Sequence, residues 1–258
     1  MTPPRKHAGS GDASATVATV PVDAADLILL SAGAAKALVE GIAADFHRTT
    51  GVSIRGTFGA VGAMREKLVA GEACDAFVST AAMLETLAKG GHIAAASIKP
   101  IGRVRTGIAV RSGDPVPAVA SGDALAARLR DAPAIFMPDP ERATAGIHFV
   151  RVLDSLGLLA QLGSRLRAYP NGATAMRELA HCGIAGAIGC TQVTEILYTP
   201  GVVLAGLLPS EYELATLYSA GVCTRAASPK LAATFIEWLV DERRAALRRL
   251  GGFETVSE

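Results

Sequence analysis

The feature that most limits what this chain can become is the regular alternation of short apolar runs with stretches of helical periodicity. Runs of this kind joined by amphipathic helices are the pattern of βαβ units and a largely parallel sheet. Residues 27–30 read as a buried strand, Ser31, Ala32 and Gly33 as a turn, and 34–46 as a helix with Leu38, Ile42 and Phe46 on one face. Residues 53–58 then pass through Gly59, Ala60, Val61 and Gly62 into a helix ending near Gly71. Residues 75–78 pass through Ser79 and Thr80 into a helix over 81–89. Three such steps in succession predict an α/β fold.

The rhythm changes at a long apolar stretch over 104–110, followed by a turn containing Pro115 and Pro117, which marks a lobe boundary. A second set of units follows, with strands over 134–137, 167–169 and 185–189 and helices over 146–156, 172–181 and 192–197. Strands over 202–207 and 214–222 and helices over 229–240 and 243–250 end the chain, with Pro229 suited to a first helical turn. A chain of 258 residues is long enough for two lobes, each with its own core.

Half of the residues are apolar but only 5% are aromatic, so that core is built from Ala, Val, Leu and Ile. The formal charge of +1 gives no general attraction to nucleic acid or to an anionic membrane surface, so any anion site is local. Arg128, Arg130, Arg243, Arg244, Arg248 and Arg249 fall in helical stretches and read as solvated faces. Cys74, Cys182, Cys190 and Cys223 are scattered without metal-ligand spacing and read as free thiols, so neither metal nor cofactor is expected. Residues 1–25 read as a disordered tail without the apolar stretch of a secretion signal, and no segment is long enough to insert in a membrane. As written the chain is expected in the cytoplasm, and in the periplasm if a leader is missing.

The chemistry resides in small and hydroxyl residues where strands meet helices: Ser31 and Gly33, Gly59 to Gly62, Ser79 and Thr80, Thr144 to Gly146, Asn171 to Thr174, and Gly189 to Thr191. Ligands of open α/β sheets bind outside the carboxyl ends of strands, and free N–H groups at helix starts attract anions. The same residue types are also ordinary turn and cap residues, so the recurrence in both halves carries the argument rather than any single position. There is no G-x-G-x-x-G, no phosphate-binding loop with Gly-Lys, no G-x-S-x-G and no H-E-x-x-H. His148 and Glu195 are the ionisable residues nearest the predicted cleft loops and are the acid–base candidates if the chain is an enzyme. Arg103 and Arg105 lie at the predicted passage between lobes, where Arg103 either pairs with a carboxylate ligand or contacts the opposite lobe.

The order of segments over 27–253 resembles the molybdate-type extracellular solute-binding family of ABC transporters. The resemblance rests on LLSAGAAKALVEGIAADFHRTTGVSI, TFGAVGAMREKLVAGEACDAFVST, PDPERATAGIHFVRVLDSLG and AATFIEWLVDERRAALRRLGGF. It implies a two-lobed fold of the periplasmic-binding-protein type II kind, with mainly parallel sheets flanked by helices. Lobe 1 would comprise 26–104 and 209–258 and lobe 2 105–208, with a ligand gripped by hydroxyls and helix N-termini and an ABC permease as partner if the chain is exported.

Where that family presents serines at the first two helix starts and an aromatic hydroxyl in the last cleft loop, this chain reads Ala34, Val61 and Gly189. The resemblance with these departures implies an anion-binding cleft formed by Ser31, Gly33, Ala34, Gly59, Ala60, Val61, Ser79, Arg103, Thr144, Ala145, Asn171, Gly189 and Thr191. A tetrahedral oxyanion depends on several neutral donors, so an organic carboxylate is expected in preference to molybdate. The resemblance extends to aconitate isomerase, which makes the alternative an isomerase moving a proton on a small di- or tricarboxylate.

Overall fold

The computed structural model describes residues 26–255, so the expected tail over 1–25 lies outside the described residues. The chain runs β1 (Leu27–Ala32), α1 (Lys36–Thr50), β2 (Ile54–Gly59), α2 (Val61–Val69), β3 (Ala76–Thr80), α3 (Ala81–Lys89), β4 (Lys99–Arg111), α4 (Gly122–Asp131) and β5 (Ile135–Pro138). It continues α5 (Thr144–Ser155), α6 (Leu159–Leu162), β6 (Leu166–Tyr169), α7 (Gly172–His181), β7 (Ile188–Gln192), α8 (Val193–Tyr198), β8 (Val202–Leu207), β9 (Ala215–Val222), α9 (Pro229–Val240) and α10 (Ala245–Leu250).

The strands lie in the order β2-β1-β3-β9-β4-β7-β5-β6, with β8 also paired to β4. β1 is parallel to β2 and β3, and β5 is parallel to β6 and β7, whereas β4 and β9 run antiparallel to their neighbours. β1 and β3 are buried along almost their whole length, which is why they read as unbroken apolar runs rather than alternating ones. The mixed α/β fold is therefore two lobes, each a sheet flanked by helices, and β4 belongs to both. From Lys99 to Arg105 it pairs with β9, and from Thr106 to Arg111 with β7 and β8. The chain returns over 208–214, through a 3-10 turn at Ser210–Tyr212.

Each lobe has its own apolar interior. In the first, Leu27, Leu38, Ile42, Phe46 and Val78 pack with Phe235, Ile236 and Leu239 of α9. The Phe46 ring meets Phe235 and Trp238 edge-on, with centroids 5.7 and 5.3 Å apart. In the second, Ile108, Leu125, Ile135, Phe149 and Ile188 form the equivalent centre. All four cysteines are free thiols.

Three expectations are corrected. β1 runs on through Ser31 and Ala32, so the first turn begins at Gly33. The strand expected over 185–189 begins only at Ile188, because Gly186 adopts a left-handed φ of 75° and turns the chain there, so Gly189 lies inside β7. Arg248 is buried rather than solvated. Its guanidinium donates to the carbonyls of Leu239 and Asp241 at 3.0 and 2.8 Å, satisfying acceptors at the end of α9.

Buried Asp75 fastens the first lobe. Its carboxylate accepts from the Ile28 N–H at 2.9 Å and from the Ser228 N–H at 3.0 Å, joining the start of β1 to the residue that precedes α9. Asp75→Asn turns an amide NH2 against one of those two donors. It is expected to cost about 1–3 kcal/mol, read as a lower urea midpoint at unchanged slope.

Candidate functional site

A narrow cavity lies between the lobes, where the carboxyl ends of the strands meet the helix starts. Its first wall is Ala32, Gly33 and Ala34 after β1 and Gly59, Ala60 and Val61 after β2. The facing wall is Pro138, Ala143, Thr144 and Ala145 around the β5–α5 connection, with Asn171 and Gly172 at the start of α7. Gln192 and Glu195 close it from β7 and α8, and Tyr218 from β9.

Away from the cavity α3 and α4 carry side-chain caps, from Thr80 and Ser121. At the cavity Ala32, Ala60 and Ala143 stand at the cap positions of the 3-10 turn leading into α1, of α2 and of α5, and none of these starts has a side-chain cap. A helix start leaves N–H groups unsatisfied, and an alanine cap forgoes about 1 kcal/mol each time. Three uncapped starts converge on this cleft, and unpaired N–H groups with the positive ends of peptide dipoles favour negative charge.

The fourth start is occupied from within. Asn171 Oδ1 caps α7 by accepting from the Thr174 N–H at 2.9 Å, while the Gly172 and Ala173 N–H groups donate to the Glu195 carboxylate. The Thr191 hydroxyl donates to Glu195 Oε2 at 2.6 Å. A Cβ on Gly172 would lie 1.9 Å from Glu195 Oε2, and one on Gly33 of the opposite lobe 2.7 Å from Oε1, so glycine at both positions lets the two walls close on the carboxyl. Burial pushes the Glu195 carboxyl above the ordinary carboxylate range, and its three donors offset only part of that shift. Among the described residues no Lys, Arg or His lines the cavity. Gln192 is 3% exposed, and both polar atoms of its amide are buried without a partner. Burial, with the Glu195 charge nearby, also raises the Tyr218 phenol.

Of the residues singled out in the sequence, Gly33, Ala34, Gly59, Ala60, Val61, Thr144, Ala145, Asn171 and Glu195 come together on the cavity wall. The others do not. Ser31 is buried in β1 and its hydroxyl donates to the Ala32 carbonyl. Ser79 is buried in β3 opposite Ser219. Arg103 is an exposed residue whose backbone pairs with Glu254. A Cβ on Gly189 would strike Met176, so that residue faces α7. Thr191 acts through Glu195 rather than on the cavity. His148 sits on α5 with its Nε2 2.8 Å from the Tyr212 carbonyl in the returning segment, lining an outer groove instead.

Gln192 and Tyr218 are the polar positions that the sequence did not single out, whereas Gly172 lies within the Asn171 to Thr174 motif. Gln192 directly follows the Gly189 to Thr191 motif. Tyr218 restores a phenol to the site from β9, an antiparallel strand with no turn signal near it. The lobes also touch outside the cavity: the Gly62 N–H donates to the Arg142 carbonyl at 3.0 Å, the Arg142 guanidinium lies 3.3 Å from Glu66, and the Tyr198 hydroxyl bonds Glu40.

Residues 27–254 match the family model described as bacterial extracellular solute-binding protein. The chain is 25% identical over 239 residues to aconitate isomerase from Pseudomonas sp, covering 89% of this chain and 88% of that protein. Its fold is that of the periplasmic molybdate-binding protein of Azotobacter vinelandii, with a TM-score of 0.75 at 20% identity over 90% of this chain and 100% of that one. The sulfate-binding protein of Mycobacterium tuberculosis has a TM-score of 0.72 at 15% identity over 91% of this chain and 88% of that one.

Because its carboxyl is held above the ordinary range, the folded chain binds the Glu195 proton more tightly than the unfolded chain does. The associated stability is complete below the unfolded value, about 4.3, and is lost as pH rises through the raised folded value. Glu195→Gln keeps an acceptor for Thr191 and removes that loss. The Tm of the variant relative to wild type is expected to climb as pH rises from about 4.3, and a difference independent of pH would contradict the assignment.

Proposed function

We propose that this chain, which belongs to the bacterial extracellular solute-binding protein family, closes its two lobes on a small organic carboxylate. The observation that carries the reading is the convergence of three helix starts capped only by Ala32, Ala60 and Ala143 on one cavity. Their N–H groups replace the water that solvates a carboxylate, and the Thr144 hydroxyl and Tyr218 phenol add donors. We take 26–104 with 209–258 as one lobe and 105–208 as the other, hinged where β4 passes from Arg105 to Thr106 and where the chain returns over 208–214. A family described as extracellular supports a place outside the cytoplasmic membrane with a permease as partner.

One observation favours a second reading on the same site. Glu195 is a buried carboxyl with raised proton affinity on the cavity wall, a setting suited to a group that takes and returns a proton. The likeness to aconitate isomerase supports an isomerase that removes a proton from carbon, with the free N–H groups stabilising the enolate-like state.

Two outcomes check these readings. Ala60→Asp supplies α2 with a cap and sets a carboxylate among the donors. The unliganded Tm is expected to be at least that of wild type, while the stabilisation by added dicarboxylates falls by an amount equivalent to tenfold or more in affinity. In deuterated water, the isomerase reading expects exchange at carbon in a bound di- or tricarboxylate, abolished by Glu195→Gln and retained in His148→Ala. Binding without exchange by the wild type leaves a binding protein and ends the isomerase reading.

A further inference from the structure

The donors of the cavity suit any anion, but the wall also presents acceptors. Gln192 ends β7 at the hinge, opposite Thr106 of β4, with its amide nitrogen and amide oxygen both buried and unpartnered. The nitrogen matches an oxygen of an anion. The oxygen does not, because a fully ionised oxyanion or a plain carboxylate presents only lone pairs to it. A buried carbonyl left opposite another acceptor forfeits the hydrogen bond it had in water and adds repulsion. A ligand that accepts at the helix starts and donates at Gln192 satisfies the wall as a whole.

We infer that the ligand of this cavity is an anion carrying at least one O–H group, and that Gln192 is the residue that selects for it. The inference rests on the reading of the cavity as an anion site. The O–H comes from one of two sources, the hydroxyl of a hydroxycarboxylate or the residual proton of a protonated oxyanion, and both present the same donor beside the same negative oxygens.

Titration calorimetry on the full chain at constant pH tests this with matched probes. Malate is compared with succinate, which lacks the hydroxyl, and inorganic phosphate, which retains a proton near pH 7, is compared with sulfate, which does not. Wild type is expected to prefer malate over succinate by tenfold or more, and Gln192→Leu to lower malate affinity and erase that preference. Gln192→Glu at a pH where the new carboxyl is ionised keeps an acceptor and is expected to retain the preference. Phosphate bound in preference to sulfate, with neither dicarboxylate bound, would uphold the O–H requirement and refute the carboxylate reading. Succinate bound as tightly as malate, or a preference that survives Gln192→Leu, overturns the selector while leaving the carboxylate reading intact. Failure of all four probes to bind overturns both.

Discussion

Three helix starts left without side-chain caps meet at the cleft between the lobes. Each leaves N–H groups that water or a ligand must satisfy, and each gives up the stability that Ser, Thr, Asn or Asp at the cap would add. Alanine at 32, 60 and 143 also keeps the walls smooth, so backbone from opposite lobes approaches a shared space. That space exists because β4 belongs to both sheets. The lobes are held at the strand ends, and a ligand touching both walls links them.

Glu195 shows what happens to the same kind of site when the protein supplies the anion itself. Its carboxyl takes the N–H groups of Gly172 and Ala173 at the start of α7, with Thr191 as a third donor. Glycines 33 and 172 leave the room it occupies. The arrangement places a group of raised proton affinity beside the uncapped helix starts.

The sequence made the α/β architecture legible because buried parallel strands are continuous apolar runs and their helices have a clear period. The helices over Gly172–His181 and Pro229–Val240 and the strand Val202–Leu207 emerge with the expected bounds. Half of the site was legible for the same reason, since the glycine and threonine positions after β1, β2 and β5 sit at predicted junctions. Its polar residues were harder. Ser31 and Ser79 have suitable chemistry but occupy buried strand positions, and one residue of register reverses the face. Tyr218 arrives from a distant antiparallel strand, and the significance of alanine at a cap is visible only when three of them meet.

Backbone amide chemical shifts, followed by heteronuclear NMR during a titration with malate, report on each uncapped helix start separately. Progressive shifts are expected at Gly33, Ala34, Val61 and Ala145, with the starts of α3 and α4, capped by Thr80 and Ser121, unmoved. Shifts confined to other surfaces, or of equal size at the capped helices, would contradict an anion site at the uncapped starts.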